Sequence, residues 1–507
     1  MKKTRMQAAT KRTRAKQRPN GQSVPEPGTR AANLESGRHL AVINVVGLTP
    51  QLIGEHTPAL KALCESRTCK PLAGVFPAVT TTVQSSMLTG LAPADHGIVG
   101  NGWYFRDLDE IAFWKQSNAL VHGEKIWENL KRKHPGFQTS NLFWWYNMNT
   151  AVDFSITPKP HYGADGRKEF KVYSSPSFHA QIESRIGKFP FFTFWGPRAG
   201  IEASRWIARC SVEEFRIHRP NLQLVYLPHL DYNMQKLGPH HPTVAEDLQQ
   251  IDAVVGELVE ELARQGCDTM VVSEYGIEPV RRSVSINREL RKRGWLKVRE
   301  SLGTELLDTG ASAAFAVADH QIAHVYVKCP SIFSEVKSCL QGLDGIESVL
   351  EGADFAKMGQ RPRDRTHRTG KSETSKATFR AGDLVAVADA DCWLNYYYWL
   401  DDDMAPDFAR TVDIHRKPGY DPVELFLDPD LTLIPLRVGW KLLKKTLGFR
   451  MLMDVIPLRP ELVKGSHGRL NEPSRGPLLI APQHYHGPLP TSVTGLFSLL
   501  QRYFNQK

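Results

Sequence analysis

The amino-acid sequence predicts an α/β fold in three layers, a mostly parallel β-sheet with helices on both faces. Near-continuous apolar runs at residues 40–46, 222–227 and 270–273 are typical of strands buried on both faces of such a sheet. Helical patterns at residues 57–65 and 244–265 separate the predicted strands. Strands that alternate with helices form parallel sheets, and their ligand sites lie at the carboxyl ends of the strands.

The remaining segments complete the predicted architecture. A short second strand is predicted at residues 69–72. Residues 103–204 are aromatic, turn-rich and poorly periodic, so we interpret them as an insertion. Residues 324–383, with strand and helix patterns of their own, are interpreted as a second insertion. Both belong to a domain predicted to span residues 39–480, and residues 481–507 are predicted to form a C-terminal tail.

Size and composition indicate a globular protein. The chain has 507 residues, of which 41% are hydrophobic and 23% are charged, which suits one large α/β domain with insertions. No apolar run approaches the roughly 20 residues that cross a bilayer, so we expect a soluble protein without a transmembrane segment. Seven cysteines without CxxC pairs fit reduced thiols in the cytoplasm.

The net charge of +10 is concentrated at the N-terminus. Residues 1–18 contain eight Lys or Arg and no acidic residue, so they contribute +8 and the rest of the chain only +2. We interpret residues 1–38 as a disordered basic arm that lacks the apolar segment of a secretory signal. Contact with nucleic acid or anionic lipid is the less favoured alternative, and no specific nucleic-acid partner is predicted.

The segment FPAVTTTVQSSMLTGLAPADHGIVGN, residues 76–101, carries the strongest chemical signal. It joins a hydroxyl cluster that begins at Thr80 to a Thr89-Gly90 pair and then to a loop that ends at Asn101. A hydroxyl nucleophile needs a turn that exposes it and a helix whose N-terminal amides favour negative charge. The alternative for the hydroxyl cluster alone is an ordinary helix start, because Ser and Thr are common N-caps.

The order of these motifs resembles the nucleotide pyrophosphatase/phosphodiesterase branch of the alkaline phosphatase superfamily, which includes the phosphonoacetate hydrolases. In that branch a threonine ahead of the Thr-Gly pair attacks phosphorus, and the asparagine of an HGIxxN loop binds a phosphoryl oxygen. The resemblance implies these roles for Thr80 and Asn101. It also implies an alkaline-phosphatase-like catalytic domain with inserted cap segments.

The resemblance further implies metal ligands after the strands and near the C-terminus. Two implied ligands are present, Asp231 and His467, and Glu274 stands where relatives have an aspartate. Glutamate can still bind a hard or borderline cation. Three implied ligands are replaced, by Val46, Gln235 and Tyr275. The retained positions alone cannot build a site in which two cations hold the attacking and leaving oxygens.

Two histidine-bearing segments could supply replacement ligands. On an extended segment His320 and His324 would face the same side. We select His324 and His415 as candidate metal ligands, because Asp319 and Arg416 lie nearby and could orient the imidazole or the phosphate. A purely structural role for these histidines is an equally weighted alternative.

The motifs together predict a metal-dependent hydrolase of phosphodiester, pyrophosphate or related phosphoester and phosphonate bonds, with Thr80 as nucleophile and a small-molecule substrate. The implied cofactor is a divalent metal, with zinc favoured and one or two ions expected. Two alternatives stay open. One is a pseudoenzyme that binds a phosphorylated ligand through an impaired metal site, and the other is a transferase that passes the group to an acceptor other than water.

Residues 439–450, GWKLLKKTLGFR, interleave basic and apolar side chains. This pattern occurs in helices that lie on a membrane surface. Packing of the segment on its own domain is the favoured alternative.

Overall fold

Buried apolar runs form strands at the centre of the fold. A computed structural model describes residues 37–162, 168–175, 178–352, 354, 380–449 and 451–506. The predicted basic arm at residues 1–38 lies outside the described residues except for its last two positions. From Arg38 onward the chain forms a single folded unit.

Twenty strands lie within the described residues. They are β1 (Leu40–Val45), β2 (Cys69–Pro71), β3 (Gly102–Phe105), β4 (Glu110–Phe113), β5 (Thr139–Leu142), β6 (Phe154–Tyr162), β7 (Lys168–Ser174), β8 (Leu222–Leu227), β9 (Asp268–Val272), β10 (Glu278–Pro279), β11 (Arg282–Val284), β12 (Lys297–Ser301), β13 (Thr304–Asp308), β14 (Ala314–Asp319), β15 (Ile322–Val327), β16 (Ile346–Leu350), β17 (Leu384–Ala388), β18 (Cys392–Leu394), β19 (Gly465–Ser466) and β20 (Leu478–Ile480).

Twelve α-helices lie in the same described ranges. They are α1 (Pro58–Ser66), α2 (Thr80–Thr89), α3 (Pro93–His96), α4 (Ile126–Lys133), α5 (Phe178–Ile186), α6 (Ile201–His218), α7 (His229–Leu237), α8 (Thr243–Arg264), α9 (Ile286–Lys292), α10 (Phe333–Gln341), α11 (Ile434–Thr446) and α12 (Leu496–Asn505).

The central sheet has eight strands in the order β2-β20-β9-β1-β8-β5-β6-β7. Its five middle strands, from β9 to β6, are parallel, whereas β2, β20 and β7 pair in antiparallel fashion at the two edges. Every residue of β1 and β8 is buried, as expected for strands covered on both faces. The sheet therefore has the mostly parallel α/β character that the apolar runs predict.

The segment predicted as a first insertion, residues 103–204, contributes three strands to this sheet. Residues 139–142 and 154–162 form β5 and β6, which extend the parallel part, and β7 closes that edge. A second, antiparallel sheet has the order β14-β15-β17-β16. Its strands begin at Ala314, before the predicted boundary at residue 324, because β14 and β15 form one hairpin.

Residues 481–507 include a core helix rather than only the predicted tail. Helix α12 buries Leu496, Leu499, Leu500, Tyr503 and Phe504 in the same hydrophobic core as the central strands. Their spacing of three and four residues places them on one face of the helix. Burial of that face is the physical reason why the segment is ordered.

Truncation of this face should destabilise the whole domain. We expect Leu500→Ala to lower the free energy of unfolding by about 2–5 kcal/mol, because Leu500 is fully buried and the substitution leaves a cavity. Ser498→Ala, at an exposed position of the same helix, should change it by less than about 0.5 kcal/mol. Urea unfolding followed by circular dichroism measures both, and equal small effects would contradict the packing of α12.

Candidate active site

The carboxyl ends of the central strands meet at one edge of the sheet, where the site is predicted. Asp231 lies in the first turn of α7, after β8, and Glu274 and Tyr275 follow β9 directly. Thr80 is the first residue of α2, and His467 follows the short strand β19. Four of these five residues, all except Glu274, border one cavity.

The cavity has a volume of about 150 Å³. Much of its wall consists of aromatic side chains, which include Trp114, Trp145, Phe191, Phe194, Trp195 and Tyr232. Among the described residues that line it there is no Lys or Arg. A ligand with an apolar or aromatic part and little negative charge suits such a surface.

Thr80 is held at the N-terminus of a helix whose ten residues are all buried. Its Oγ1 lies 2.9 Å from the hydroxyl oxygen of Tyr275, so the two hydroxyls are hydrogen bonded. The positive end of the α2 dipole favours negative charge at this position. The structure therefore provides the helix start behind Thr80 that a hydroxyl nucleophile needs.

Asn101 is anchored on both sides of its amide. Its Oδ1 accepts a hydrogen bond from the backbone N–H of Thr81 (3.1 Å), and its Nδ2 donates to Asp319 Oδ1 (3.2 Å). Its backbone N–H donates to Asp319 Oδ2 at 2.7 Å. Asn101 thus lies beside the start of α2, with one of its two amide hydrogens and the Thr81 N–H already engaged.

Glu274 follows β9 but does not line the cavity. Its Oε1 accepts hydrogen bonds from Asn44 Nδ2 (2.5 Å) and Gln84 Nε2 (2.6 Å), while its Oε2 has no hydrogen-bond partner among the described residues. Complete burial raises the pKa of Glu274 to about 8. Burial favours the neutral acid, whereas the two amide donors favour the carboxylate, and the metal-ligand role of Glu274 stays a prediction.

Asp231 and His467 approach each other at the cavity. Asp231 Oδ1 lies 3.8 Å from His467 Nε2, and neither atom has a hydrogen-bond partner in the described part of the chain. His467 Nδ1 bonds the carbonyl oxygen of Ala78 at 2.8 Å, which makes Nε2 the unprotonated nitrogen of the neutral ring. Burial raises the pKa of Asp231 to about 7.

Gln235, which replaces an implied histidine ligand, is part of a hydrogen-bonded chain. Its Nε2 donates to Asp231 Oδ2 (2.8 Å), and its Oε1 accepts from the hydroxyl of Tyr420 (2.9 Å). Gln235 therefore orients the carboxylate of Asp231 through a direct hydrogen bond. Val46 is fully buried in the hydrophobic core and offers no polar atom.

His320 lies at the cavity, although the sequence pattern favoured His324 and His415 as ligands. Its Nδ1 bonds Asp319 Oδ1 at 2.7 Å, and its buried Nε2 has no partner among the described residues. Its ring stacks between those of Tyr420 (3.6 Å) and His467 (3.7 Å). A carboxylate on one nitrogen and a free lone pair on the other are typical of metal-binding histidines.

The backbone explains why His320, rather than His324, reaches the cavity. His320 has φ +62° in the turn between β14 and β15, an unusual conformation for a non-glycine residue, so the side-chain alternation of an extended segment is interrupted. His324 lies within β15, and both of its ring nitrogens bond the backbone, at Val99 O and Gly382 N. His324 is consequently not a metal ligand in this arrangement.

The segment around His415 reaches the cavity only in part, and the ligand role of His415 stays a prediction. His415 lines the cavity but is exposed. Arg416 pairs with Asp407, and Lys417 is buried between Asp421 (2.7 Å) and Glu424 (2.8 Å). Neither cation lines the cavity, so neither is positioned as a phosphate contact.

The residues present fit one metal ion rather than two. Among the buried Asp, Glu, His and Cys side chains that line the cavity in the described residues, three atoms have no partner, namely Asp231 Oδ1, His320 Nε2 and His467 Nε2. They do not all lie within 4.8 Å of one another, so binding requires rotation of at least one side chain. Within the described residues that spacing is met only by Asp389, Asp391 and Cys392, away from the cavity. Val46 and Tyr275 leave the second metal position without ligands.

The chain resembles known phosphodiesterases and pyrophosphatases in sequence. The sequence profile described as "Type I phosphodiesterase / nucleotide pyrophosphatase" matches residues 40–421. An uncharacterized pyrophosphatase/phosphodiesterase of Schizosaccharomyces pombe is 26% identical over 238 residues, which are 44% of this chain and 41% of the relative. Ectonucleotide pyrophosphatase/phosphodiesterase family member 1 of Rattus norvegicus is 25% identical over 217 residues, 41% of this chain and 20% of the relative. The matches thus span less than half the length of these relatives.

Solved structures show the same fold. Phosphonoacetate hydrolase from Sinorhizobium meliloti, in complex with phosphonoformate, superposes with a TM-score of 0.57 at 15% identity, covering 92% of this chain and 95% of that one. An inactive variant of murine ectonucleotide pyrophosphatase/phosphodiesterase 5 in complex with AMP gives a TM-score of 0.54 at 15% identity, covering 93% and 96%. The α/β fold is alkaline-phosphatase-like, as the sequence predicts.

The raised pKa of Glu274 predicts how the stability of the domain changes with pH. Because its pKa rises from 4.5 to about 8 on folding, its contribution to stability is complete below about pH 4.5, declines as pH rises, and is gone above about pH 8. Glu274→Gln removes this pH-dependent contribution. Between pH 5 and pH 8.5 the free energy of unfolding should therefore fall in the variant by at least about 1 kcal/mol less than in the wild type. Chemical denaturation at both pH values measures the difference.

The exposed position Glu300 offers a matched control for this experiment. Glu300→Gln should leave the pH dependence of stability as in the wild type. The same pH dependence in the wild type and in Glu274→Gln would contradict a buried, protonated Glu274.

Proposed function

The chain belongs to the type I phosphodiesterase / nucleotide pyrophosphatase family, and we propose that it hydrolyses phosphodiester or pyrophosphate bonds with Thr80 as the nucleophile. The observation that carries the proposal is the position of Thr80, at the start of a buried helix and on the wall of the cavity. A hydroxyl oxygen in that position can reach a phosphorus atom while the helix dipole favours the developing charge.

The reaction follows from the surroundings of Thr80. Oγ1 attacks phosphorus while the bond from phosphorus to the leaving-group oxygen breaks; that oxygen departs with the electron pair and takes up, through solvent, the proton that the Thr80 hydroxyl loses. Water then displaces Thr80 from phosphorus in the second step. Tyr275 orients the Thr80 hydroxyl through their hydrogen bond. Asn101, which has one amide hydrogen beyond that given to Asp319, donates to a phosphoryl oxygen.

The cavity supports a phosphodiester as substrate rather than a phosphomonoester. A diester carries one negative charge, whereas a monoester carries nearly two at neutral pH, and no Lys or Arg is among the described residues lining the cavity. The aromatic wall suits a substrate with a ring-containing or apolar group. The related murine protein whose inactive variant was solved with AMP supports a nucleoside as the ring-containing group of the substrate.

A single divalent ion, with zinc favoured, would be held by Asp231, His467 and His320. Two imidazoles and one carboxylate form a common zinc donor set, which leaves a coordination position open. When bound, the metal supplies positive charge that offsets the charge on the phosphoryl oxygens. The seven free cysteines support a reducing compartment, which we propose to be the cytoplasm. No helix in the described ranges is long and apolar enough to cross a membrane.

A second candidate function is favoured by the altered ligand positions. Val46 and Tyr275 remove one metal position, and the Thr80 hydroxyl is hydrogen bonded to Tyr275. A protein with these features could bind a phosphodiester without hydrolysing it, or transfer the group to another acceptor. Binding of the substrate without turnover would favour the first, and product formation only with an added alcohol acceptor would favour the second.

The nucleophile is tested by paired variants. Thr80→Ala should abolish turnover of bis-p-nitrophenyl phosphate, whereas Thr80→Ser, which keeps a hydroxyl, should retain part of it. Wild-type turnover of p-nitrophenyl phosphate, a monoester, should be lower by at least about tenfold, a difference of about 1.4 kcal/mol in the barrier. Release of p-nitrophenolate measures all three. Wild-type activity in Thr80→Ala would exclude Thr80.

The metal site is tested by metal content. We expect about one equivalent of metal per wild-type chain rather than two, because the described ligands fit one ion. Asp231→Ala, His467→Ala and His320→Ala should each lower the content and the activity together, since ligands of one ion act as a unit. Glu274→Gln should keep its metal. Inductively coupled plasma mass spectrometry of the purified proteins measures this.

The outcome for His320 has a matched control in His324→Ala, which alters a neighbouring buried histidine whose nitrogens bond the backbone. Full metal content in His320→Ala together with loss in His467→Ala would remove His320 from the site. Two equivalents in the wild type would show that the second position is occupied despite its substitutions.

A further inference from the structure

Helix α11 and its flanks carry a concentration of exposed apolar side chains. Of the fifteen large hydrophobic side chains that are exposed in the described residues, eight lie between residues 433 and 452. No residue of α11 is buried. Contiguous apolar surface of this kind marks an interaction site in soluble proteins.

One narrow face of α11 attaches the helix to the domain. Ile434, Val438 and Lys441 are half-buried, and their spacing of four and three residues places them on one side. Val438 packs on a cluster of buried side chains that includes Val423. Lys441 Nζ donates to the backbone oxygen of Leu452 at 2.9 Å. The orientation of the helix is therefore defined by its own domain.

The opposite face is an apolar stripe. It consists of Leu433, Leu436, Trp440, Leu443 and Leu447, whose exposed fractions lie between 47% and 69%. At 100° per residue these positions fall within an arc of about 80°. Packing on the domain, which the sequence favoured, accounts for the attached face but leaves this stripe in contact with solvent.

Positive charge borders the stripe. Residues 431–453 contain five Lys or Arg and no acidic residue. Arg437, Lys444 and Lys445 are exposed, and none of the three forms an ion pair with any described residue. Lys444 Nζ lies 5.6 Å from the centre of the Trp440 ring. Unpaired cations beside an apolar stripe complement a surface that has an apolar interior covered by anionic groups.

We propose that α11 is a membrane-docking helix, which binds in the plane of a bilayer that contains anionic phospholipids. Leucine and tryptophan side chains of the stripe would enter the boundary between headgroups and acyl chains, and Arg437, Lys444 and Lys445 would contact the headgroup phosphates. A second copy of the chain fits less well, because two such helices would bring their cations together without an intervening acid.

The proposal is tested by sedimentation of the full-length protein with vesicles. Wild-type protein should sediment with phosphatidylcholine vesicles that contain phosphatidylserine and much less with phosphatidylcholine alone. Trp440→Ser combined with Leu443→Ser should reduce the bound fraction at least about tenfold, because two large apolar side chains are removed from the interface. Lys444→Glu combined with Lys445→Glu should also reduce binding, and high salt should weaken wild-type binding.

Matched controls separate the helix from the basic N-terminus, which is identical in all variants. Leu108→Ser with Leu302→Ser removes two exposed leucines elsewhere, and Lys297→Glu with Arg299→Glu reverses two exposed charges elsewhere. Both controls should bind vesicles as the wild type does.

Two results would overturn the proposal. The first is a vesicle experiment in which both α11 variants bind as strongly as the wild type, or in which the wild type does not bind. The other is a wild-type dimer, detected by light scattering, that the Trp440→Ser and Leu443→Ser changes dissociate, because the stripe would then be an interface between two copies.

Discussion

The candidate site depends on the hydrogen bonds of the Asp319 carboxylate. This carboxylate accepts the backbone N–H and the amide of Asn101 and also bonds His320 Nδ1. Asn101 in turn accepts from the first turn of α2, beside Thr80. Because Asp319 ends a strand of the second sheet and α2 follows the central sheet, this buried group joins the two sheets at the cavity.

Rings continue this connection across the cavity wall. Tyr420, His320, His467 and Tyr275 stack in that order, with centroids 3.6–3.7 Å apart. Burial lowers the pKa of both histidines, so their rings are neutral and can offer lone pairs. The same burial raises the pKa of Asp231 and Glu274. Burial thus favours the neutral forms of all four groups, whereas a bound cation would favour the carboxylate of Asp231.

The proposed membrane face and the cavity share a structural support. Val438 on the attached side of α11 packs with Val423, and the adjacent Glu424 accepts a hydrogen bond from Trp195 Nε1 at 2.6 Å. Trp195 belongs to the aromatic wall of the cavity. One short segment, Val423 and Glu424, therefore contacts both α11 and the aromatic wall of the cavity.

The sequence alone predicted four of the eight strands of the central sheet, β1, β2, β8 and β9, and selected Thr80, Asn101, Asp231 and His467 as site residues. Apolar runs and short motifs are local, so they can be read without coordinates. The sequence analysis did not identify the C-terminal helix, although its apolar residues recur at helical spacing. The polar residues at the start of the segment favoured a tail.

Tertiary structure alone decided which histidine reaches the cavity and what Glu274 does. The turn at His320 interrupts the strand alternation that favoured His324, and two amides from distant segments, Asn44 and Gln84, donate hydrogen bonds to Glu274 Oε1. These outcomes depend on backbone conformation and on contacts between residues far apart in the chain. Such contacts leave no periodic signal in the sequence, because only the folded chain brings their partners together.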